Sequence, residues 1–279
     1  MARFHLMHCV HPKMHGLNGY KEVIESIHWG LAQMGHEVTY AVNRAEPNAT
    51  NVIFGAQVLS TEFLKCLPPD TIIYHLEQLR DIDINKLRES VRYCAEHFKI
   101  WEYSHYNLDC WKRLGVDRVQ HVPVGYAPVL TRIPKAPEED IGILIYGHSG
   151  SKRGNAFHLL SLADLTVVFV SGMYGEARDG LISRSKIILN INNDHGEIFE
   201  IVRVSYLLAN KKAVVSIRDP RTAIEDDIVS GVKLTEMENV VDDCTRLIAD
   251  ENARSILATA GFDCFSKRDI RDILKSVLG

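Results

Sequence analysis

Short apolar runs alternate along the chain with longer stretches in which apolar residues recur every three to four positions, a pattern that predicts strands and helices in turn. Arg3–Val10 is an apolar run of strand length. Tyr20, Val23, Ile24, Ile27, Leu31 and Met34 follow at helical spacing, with Asn18 placed to cap the helix and Gly35 to end it. Glu37–Val42 is the next strand, and two strands joined through a helix imply a parallel pair in a sheet covered on both faces. The rhythm continues through Asn51–Phe54, Thr71–His75, Lys99–Tyr103 and Val119–Val124, with Asp81–His97 expected as a helical segment.

Pro128, Pro134 and Pro137 interrupt this rhythm and mark a hinge near residues 126–139. Beyond it the pattern repeats. Ile141–Tyr146, Leu165–Val170, Lys186–Ile191, Ala213–Ile217 and Val232–Leu234 are predicted strands, with helices near 154–162, 176–185, 199–210 and 221–229. Lys267–Leu278 is an amphipathic closing helix. The expected architecture is α/β: two Rossmann-like, doubly wound parallel-sheet lobes facing across a cleft. The boundaries are an N-terminal lobe 1–135, a C-terminal lobe 136–265, and a helix 266–279 that packs back on the lobe junction. Ligands of open α/β sheets bind outside the carboxyl ends of the strands, which directs attention to the loops there.

Composition narrows the classes. Hydrophobic residues make up 46% of the 279 and charged residues 24%, so each lobe can build a core without staples. The net charge of −4 lacks the basic field of a dedicated nucleic-acid binder. The six cysteines form no CxxC pair, which removes zinc ribbons and disulfide frameworks. Apolar runs are too short for a membrane span, and the start MARFHLMHCVHP lacks the apolar stretch of a secretory leader, so a cytoplasmic location is expected.

Two segments of the second lobe carry chemistry. YGHSGSKRGNAFHLL, residues 146–160, lies between a strand and a helix. Its glycines, Gly147 among them, let backbone amides approach a ligand beside Ser149, and Lys152 and Arg153 add cations near a helix N-terminus, a set suited to a diphosphate. It matches neither GxxxxGK[ST] nor GxGxxG, and a glycine-rich turn with solvated charges is the plain alternative. HGEIFEIVRVSYLLANKKAVVS, residues 195–216, leads from a loop through a helix to a strand. Glu197, Glu200 and Arg203 sit at the helix entry, where the acids suit ribose hydroxyls or simply complement the helix dipole. His5, His8, His11 and His15 invite a metal, but no cysteine or carboxylate cluster completes a four-ligand site, and none is expected.

IFEIVRVSYLLANKKAVVS, with YGEARDGLISRSKIILNIN at 174–192, resembles the donor-binding region of bacterial and phage glycosyltransferases of the GT-B fold. GLNGYKEVIESIHWGLAQMGHEVTYAVN at 16–43 is similar to the opening of such enzymes, and HVPVGYAP at 121–128 to the segment before their interlobe linker. The resemblance implies transfer of a hexose-type sugar from a nucleoside-diphosphate sugar, a UDP conjugate such as UDP-glucose, to an acceptor hydroxyl on a glycan, a metabolite or a modified DNA base. It implies a nucleotide-sugar co-substrate and no metal. Lys152 and Arg153 match the basic pair that neutralises the leaving pyrophosphate, Glu197 and Glu200 are candidates for the ribose or sugar hydroxyls, and Asn190 and Asn192 line the same pocket. Many relatives carry a Glu-x7-Glu motif, and Tyr206 stands at about the place of its second carboxylate. An inverting transferase also needs a base, for which Glu77 and His15 are the candidates.

Two other readings share the layout. A nucleotide-sugar epimerase or oxidoreductase should show GxGxxG in its first strand-to-helix turn, where this chain has HPKMHGLNG. A binding module that has lost turnover would keep the fold and hold the nucleotide sugar without releasing product.

Overall fold

The computed structural model describes residues 1–11, 13, 15–79, 84–192 and 198–279, without the side chains of residues 15–17 and 84. The chain forms two compact units, Met1–Ala127 with Asp269–Gly279, and Pro128–Arg268. The sequence had placed these divisions at 135/136 and 265/266. Residues 131–133 join the second unit through side-chain bonds: the Thr131 hydroxyl donates to the Ala209 carbonyl, and the Asn210 side chain accepts from the amides of Arg132 and Ile133.

The first unit holds strands β1 (Arg3–His8), β2 (Glu37–Val42), β3 (Thr50–Phe54), β4 (Ile72–His75), β5 (Lys99–Glu102) and β6 (Val119–His121). They form one parallel sheet in the order β2-β1-β3-β4-β5-β6. Helices α1 (Lys21–Gln33), α2 (Thr61–Lys65), α3 (Glu89–His97) and α4 (His105–Arg113) connect them. Met7, Ile53, Ile73 and Ile100 project from four neighbouring strands into a core shared with Leu64, Phe98 and Trp111.

The second unit contains β7 (Ile141–Tyr146), α5 (Ser151–Leu162), β8 (Val167–Val170), α6 (Gly175–Arg184), β9 (Ser185–Ile191) and α7 (Ile201–Ala209). After these come β10 (Val214–Ile217), α8 (Asp226–Val229), β11 (Lys233–Thr235), α9 (Val240–Ala249) and α10 (Glu251–Ser266). Its parallel sheet runs β11-β10-β9-β7-β8. Read from the other edge, that is the order of the first five strands of the first unit, with the second strand outside the first. Each sheet therefore reverses direction once, between β1 and β3 and between β7 and β9, and such a switch opens a crevice at the carboxyl ends. Isoleucines 143, 145 and 187 with Leu189 and Val215 build the second core against Leu160 and Val240.

The closing helix α11 (Ile270–Leu278) packs on α1, inside the first unit. A side chain at Gly30 would lie 2.8 Å from Leu274 and 2.9 Å from Ile270, so the bare backbone is what lets the two helices approach. Three helix starts differ from expectation. Asn18 lies within a 3-10 turn, His15–Tyr20, and α1 begins after Tyr20 without a side-chain cap. The helix expected over 81–97 begins at Glu89 because Arg88 is extended (ψ 141°), and residues 81–83 lie outside the described residues. The helix expected over 221–229 begins at Asp226 because Asp219 closes a turn, accepting the Thr222 amide on its carbonyl and the Arg221 amide on its carboxylate.

Candidate functional site

The β7–β9 switch of the second unit gathers most of the predicted residues. Tyr146 ends β7, and Gly147 continues with φ +127°, a backbone that side-chain-bearing residues avoid. A Cβ there would meet the Arg203 guanidinium at 2.8 Å and that of Arg153 at 3.2 Å, so glycine leaves the space that two arginines use.

Arg153, two residues into α5, is buried. Its guanidinium donates to the Ile191 carbonyl at the end of β9 (2.8 Å), to the His148 carbonyl (2.5 Å) and to Glu200 (3.1 Å). Glu200 precedes α7, and its other oxygen pairs with Arg203 one turn on. Arg203 is partly exposed, donates to Asn190 Oδ1 (3.2 Å), and lies over the Tyr146 ring. Two guanidinium groups thus share one carboxylate, and within this trio cations outnumber the anion. Such a preorganised, partly dry cluster is suited to attracting an anion with little reorganisation.

The other predicted residues lie around it. Lys152 is half-buried, with Nζ 3.7 Å from Asp219. The Arg221 backbone amide, followed by the Arg221 and Lys152 charges, holds the Asp219 carboxyl below its usual range. Ser149 is exposed on the β7–α5 loop. Asn192 is buried and donates to the Ile198 carbonyl (3.1 Å). Glu197 lies outside the described residues. Tyr206, deep in α7, donates to Asp179 (2.8 Å) and accepts from Arg132 Nε (3.0 Å), with the Arg178 guanidinium over its ring. Burial first, and then the Asp179 hydrogen bond, push this phenol well above its ordinary value. Nothing in the spacing of the sequence pointed to the Arg132–Tyr206–Asp179–Arg178 group.

The first unit presents Glu77, just past β4, as an exposed carboxylate. Tyr20 and Gln57 reach it from the segments that follow β1 and β3, the strands flanking the switch. Both donate to Oε1, Gln57 at 3.1 Å, and among the described residues no hydrogen bond falls on Oε2. Burial and the Glu77 charge raise the Tyr20 phenol well above its ordinary value, so it stays a donor. The side chain of His15 is not among those described. His5 and His8 are buried: His5 bonds Thr39 and the Arg44 carbonyl, and His8 lies 3.4 Å from the Tyr40 hydroxyl. Trp101 and Trp111 are fully buried in the core of this unit.

Below Glu77 lies a group the sequence did not suggest. Glu102, the last residue of β5, is completely buried. It accepts four hydrogen bonds: His75 Nδ1 (2.7 Å) and Trp111 Nε1 (3.0 Å) on Oε2, Asn107 Nδ2 (2.9 Å) and the Ser104 amide (3.1 Å) on Oε1. A charged residue closing an apolar strand was the one available signal.

No family model matches the sequence, and no curated protein matches it. Solved structures do match the fold. AviGT4, a glycosyltransferase involved in avilamycin A biosynthesis, is 15% identical with a TM-score of 0.58, over 100% of this chain and 96% of its own. Anabaena HepE in complex with UDP and glucose is 13% identical with a TM-score of 0.61, over 100% of this chain and 98% of its own. T4 phage BGT in complex with UDP and Mn2+ is 11% identical with a TM-score of 0.64, over 98% and 99%. At these identities the likeness is one of fold, and the fold is the two-unit parallel α/β arrangement of GT-B glycosyltransferases. No helix among the described residues is long and apolar enough to cross a membrane.

Proposed function

We propose that this chain is a glycosyltransferase that takes a hexose from a UDP-linked donor and passes it to an acceptor hydroxyl, on a glycan, a small metabolite or a modified base in DNA. The observation that carries the proposal is the Arg153–Glu200–Arg203 trio at the carboxyl ends of β7 and β9, beside the left-handed Gly147. UDP in two of the similar structures supports the choice of donor.

In this mechanism Arg203 and Lys152, the partly exposed cations, contact the diphosphate, with backbone amides near Gly147 and Ser149. Buried Arg153 acts from beneath, holding the β7–α5 loop to β9 and Glu200 in place. As the sugar–phosphate bond breaks, negative charge grows on the leaving UDP, and fixed cations in a partly dry site stabilise that charge more than they stabilise the ground state. Glu77 takes the proton of the acceptor hydroxyl through Oε2. Glu200 and Glu197 remain the candidates for the ribose or sugar hydroxyls, and Asn192 braces the segment between them. Side-chain cations supply the positive charge, so no divalent metal is required.

Thermal shift across nucleoside diphosphates and nucleotide sugars is the direct test, since a ligand of the folded state raises its stability by mass action. UDP or UDP-glucose is expected to give the largest shift, Arg203→Ala to remove most of it, and EDTA to leave it unchanged. A shift from NAD alone overturns the proposal in favour of an oxidoreductase. Binding of UDP-glucose with no release of UDP, under any acceptor, overturns the catalytic part.

A further inference from the structure

The turn that carries Glu77 is held from below by one side chain. Asn107 of α4 is completely buried, and its amide faces residues on both sides of the turn: Nδ2 donates to the Glu77 carbonyl (2.7 Å) and Oδ1 accepts the Leu79 amide (2.9 Å). In effect the side chain pairs with the backbone as a neighbouring strand would. A free amide can flip. Here it cannot without setting Oδ1 against two acceptors, the Glu77 carbonyl and Glu102 Oε1, and Nδ2 against the Leu79 amide donor.

Glu102 is itself fixed on every side. His75 closes β4, Trp111 and Asn107 lie on α4, and Ser104 precedes that helix. Four donors fill the acceptor positions of a group that, as a carboxylate, only accepts. A buried charge costs free energy unless it is fully hydrogen-bonded, and this network meets that condition. Satisfaction of the charge explains why the network is tolerated. The position of Asn107 between Glu102 and the turn gives it a use.

We infer that Glu102 and Asn107 are positioning residues for Glu77: the buried carboxylate locks the Asn107 amide, and the locked amide sets the turn that presents Glu77 Oε2. Tyr20 and Gln57 fix the other end of the same side chain at Oε1. The carboxylate is therefore constrained both through its backbone and through one oxygen, while the second oxygen stays available to an acceptor hydroxyl. This inference rests on the reading of Glu77 as the acceptor's base.

The test uses the full-length protein and two readouts. Glu102→Gln keeps the shape of the side chain but turns an amide donor toward two of the four donors. With UDP-glucose and water as the acceptor, kcat for UDP release is expected to fall about 30-fold with KM for UDP-glucose within about twofold, the pattern of a lost geometric constraint on the base. In a Glu77→Ala background the same substitution should change kcat less than about twofold, because its effect travels through Glu77. Amide exchange at Leu79 should accelerate at least about tenfold while that at Ile73 in β4 stays unchanged.

A full further loss of kcat in the Glu77→Ala background overturns the inference, as does an unchanged Leu79 amide. Trp111→Phe removes a single donor and keeps an aromatic ring, so it serves if Glu102→Gln does not fold; an approximately threefold fall in kcat is expected from it. If Glu77→Ala alone leaves kcat unaltered, the base reading fails, and Leu79 exchange still decides whether Glu102 sets the turn.

Discussion

The two units share a strand order, yet they bury charge of opposite sign at the same edge of the sheet. In the first, a fully buried carboxylate, Glu102, is surrounded by donors from His75, Ser104, Asn107 and Trp111. In the second, a buried guanidinium, Arg153, is surrounded by the carbonyls of Ile191 and His148 and by Glu200. The first network is closed, and what it leaves at the surface is one carboxylate oxygen of Glu77. The second ends in Arg203, a partly exposed cation sharing its carboxylate with another. Each parallel sheet offers a crevice at its own switch, and in the proposed mechanism the residues lining the first accept a proton while those lining the second hold an anion.

That contrast predicts a clean division of kinetic effects, and the largest comes from the first unit. Glu77→Ala should lower kcat for sugar transfer about 1,000-fold, as expected for loss of a positioned general base, and leave UDP affinity unchanged. Isothermal titration with UDP beside steady-state rates separates the two quantities. Loss of UDP binding in this variant breaks the division of labour.

Next in size is Arg153→Ala. It removes a guanidinium that satisfies two carbonyls and one carboxylate beneath the surface, and breaking such a buried arrangement costs about 3 kcal/mol. The loss should be confined to the second unit. All three tryptophans, Trp29, Trp101 and Trp111, belong to the first unit, so their fluorescence reports that unit alone in urea. Cys244 reports the second: it is fully buried, burial pushes its thiol up to about 12, and it should label only on unfolding. Arg153→Ala should advance Cys244 labelling and leave the tryptophan transition in place.

Much of this was legible in the sequence, for definite reasons. Strand cores such as Ile141–Tyr146 read directly because both faces of a parallel sheet are covered, which makes the strand a continuous apolar run. Lys152, Arg153, Glu200 and Arg203 stood out as charges at the ends of such runs. What escaped depends on partners remote in the chain. Glu102 is meaningful only with His75, which is 27 residues away, and Tyr206 only with Arg132, 74 residues away. Helix starts failed where local capping lost to tertiary constraint. Asn18 has the side chain of a cap, yet the 3-10 turn leading to Tyr20, whose ring is buried and whose hydroxyl bonds Glu77, sets where α1 begins.

Gly147→Ala probes the second edge more gently. A side chain at φ +127° is strained, and its Cβ would press on the Arg203 guanidinium, the far end of a flexible side chain. The backbone cost should be about 2 kcal/mol. The displaced guanidinium should weaken UDP binding about tenfold, with kcat at saturating donor less affected than KM. Equal loss in an Arg203→Ala background would show that the glycine matters for the backbone alone.

The smallest effect compares the two buried phenols, one in each unit. Tyr20 and Tyr206 each donate to a carboxylate, Glu77 and Asp179, and burial with that neighbouring charge raises both above the ordinary tyrosine value of 10.0. A folded-state pKa above the unfolded one stabilises the protein fully below the unfolded value, and that contribution is lost as pH rises beyond it. Both units should therefore weaken above about pH 10, where an unfolded tyrosine ionises. Tyr20→Phe should cost about 1 kcal/mol at pH 8 from the lost hydrogen bond and flatten the alkaline decline seen by tryptophan fluorescence, and Tyr206→Phe should do the same for Cys244 labelling. Each substitution should act on its own unit's probe and leave the other unmoved. Should Tyr206→Phe shift the tryptophan transition as much as Tyr20→Phe does, the two edges are one cooperative system, and the opposite charges they bury cannot be treated as separate devices.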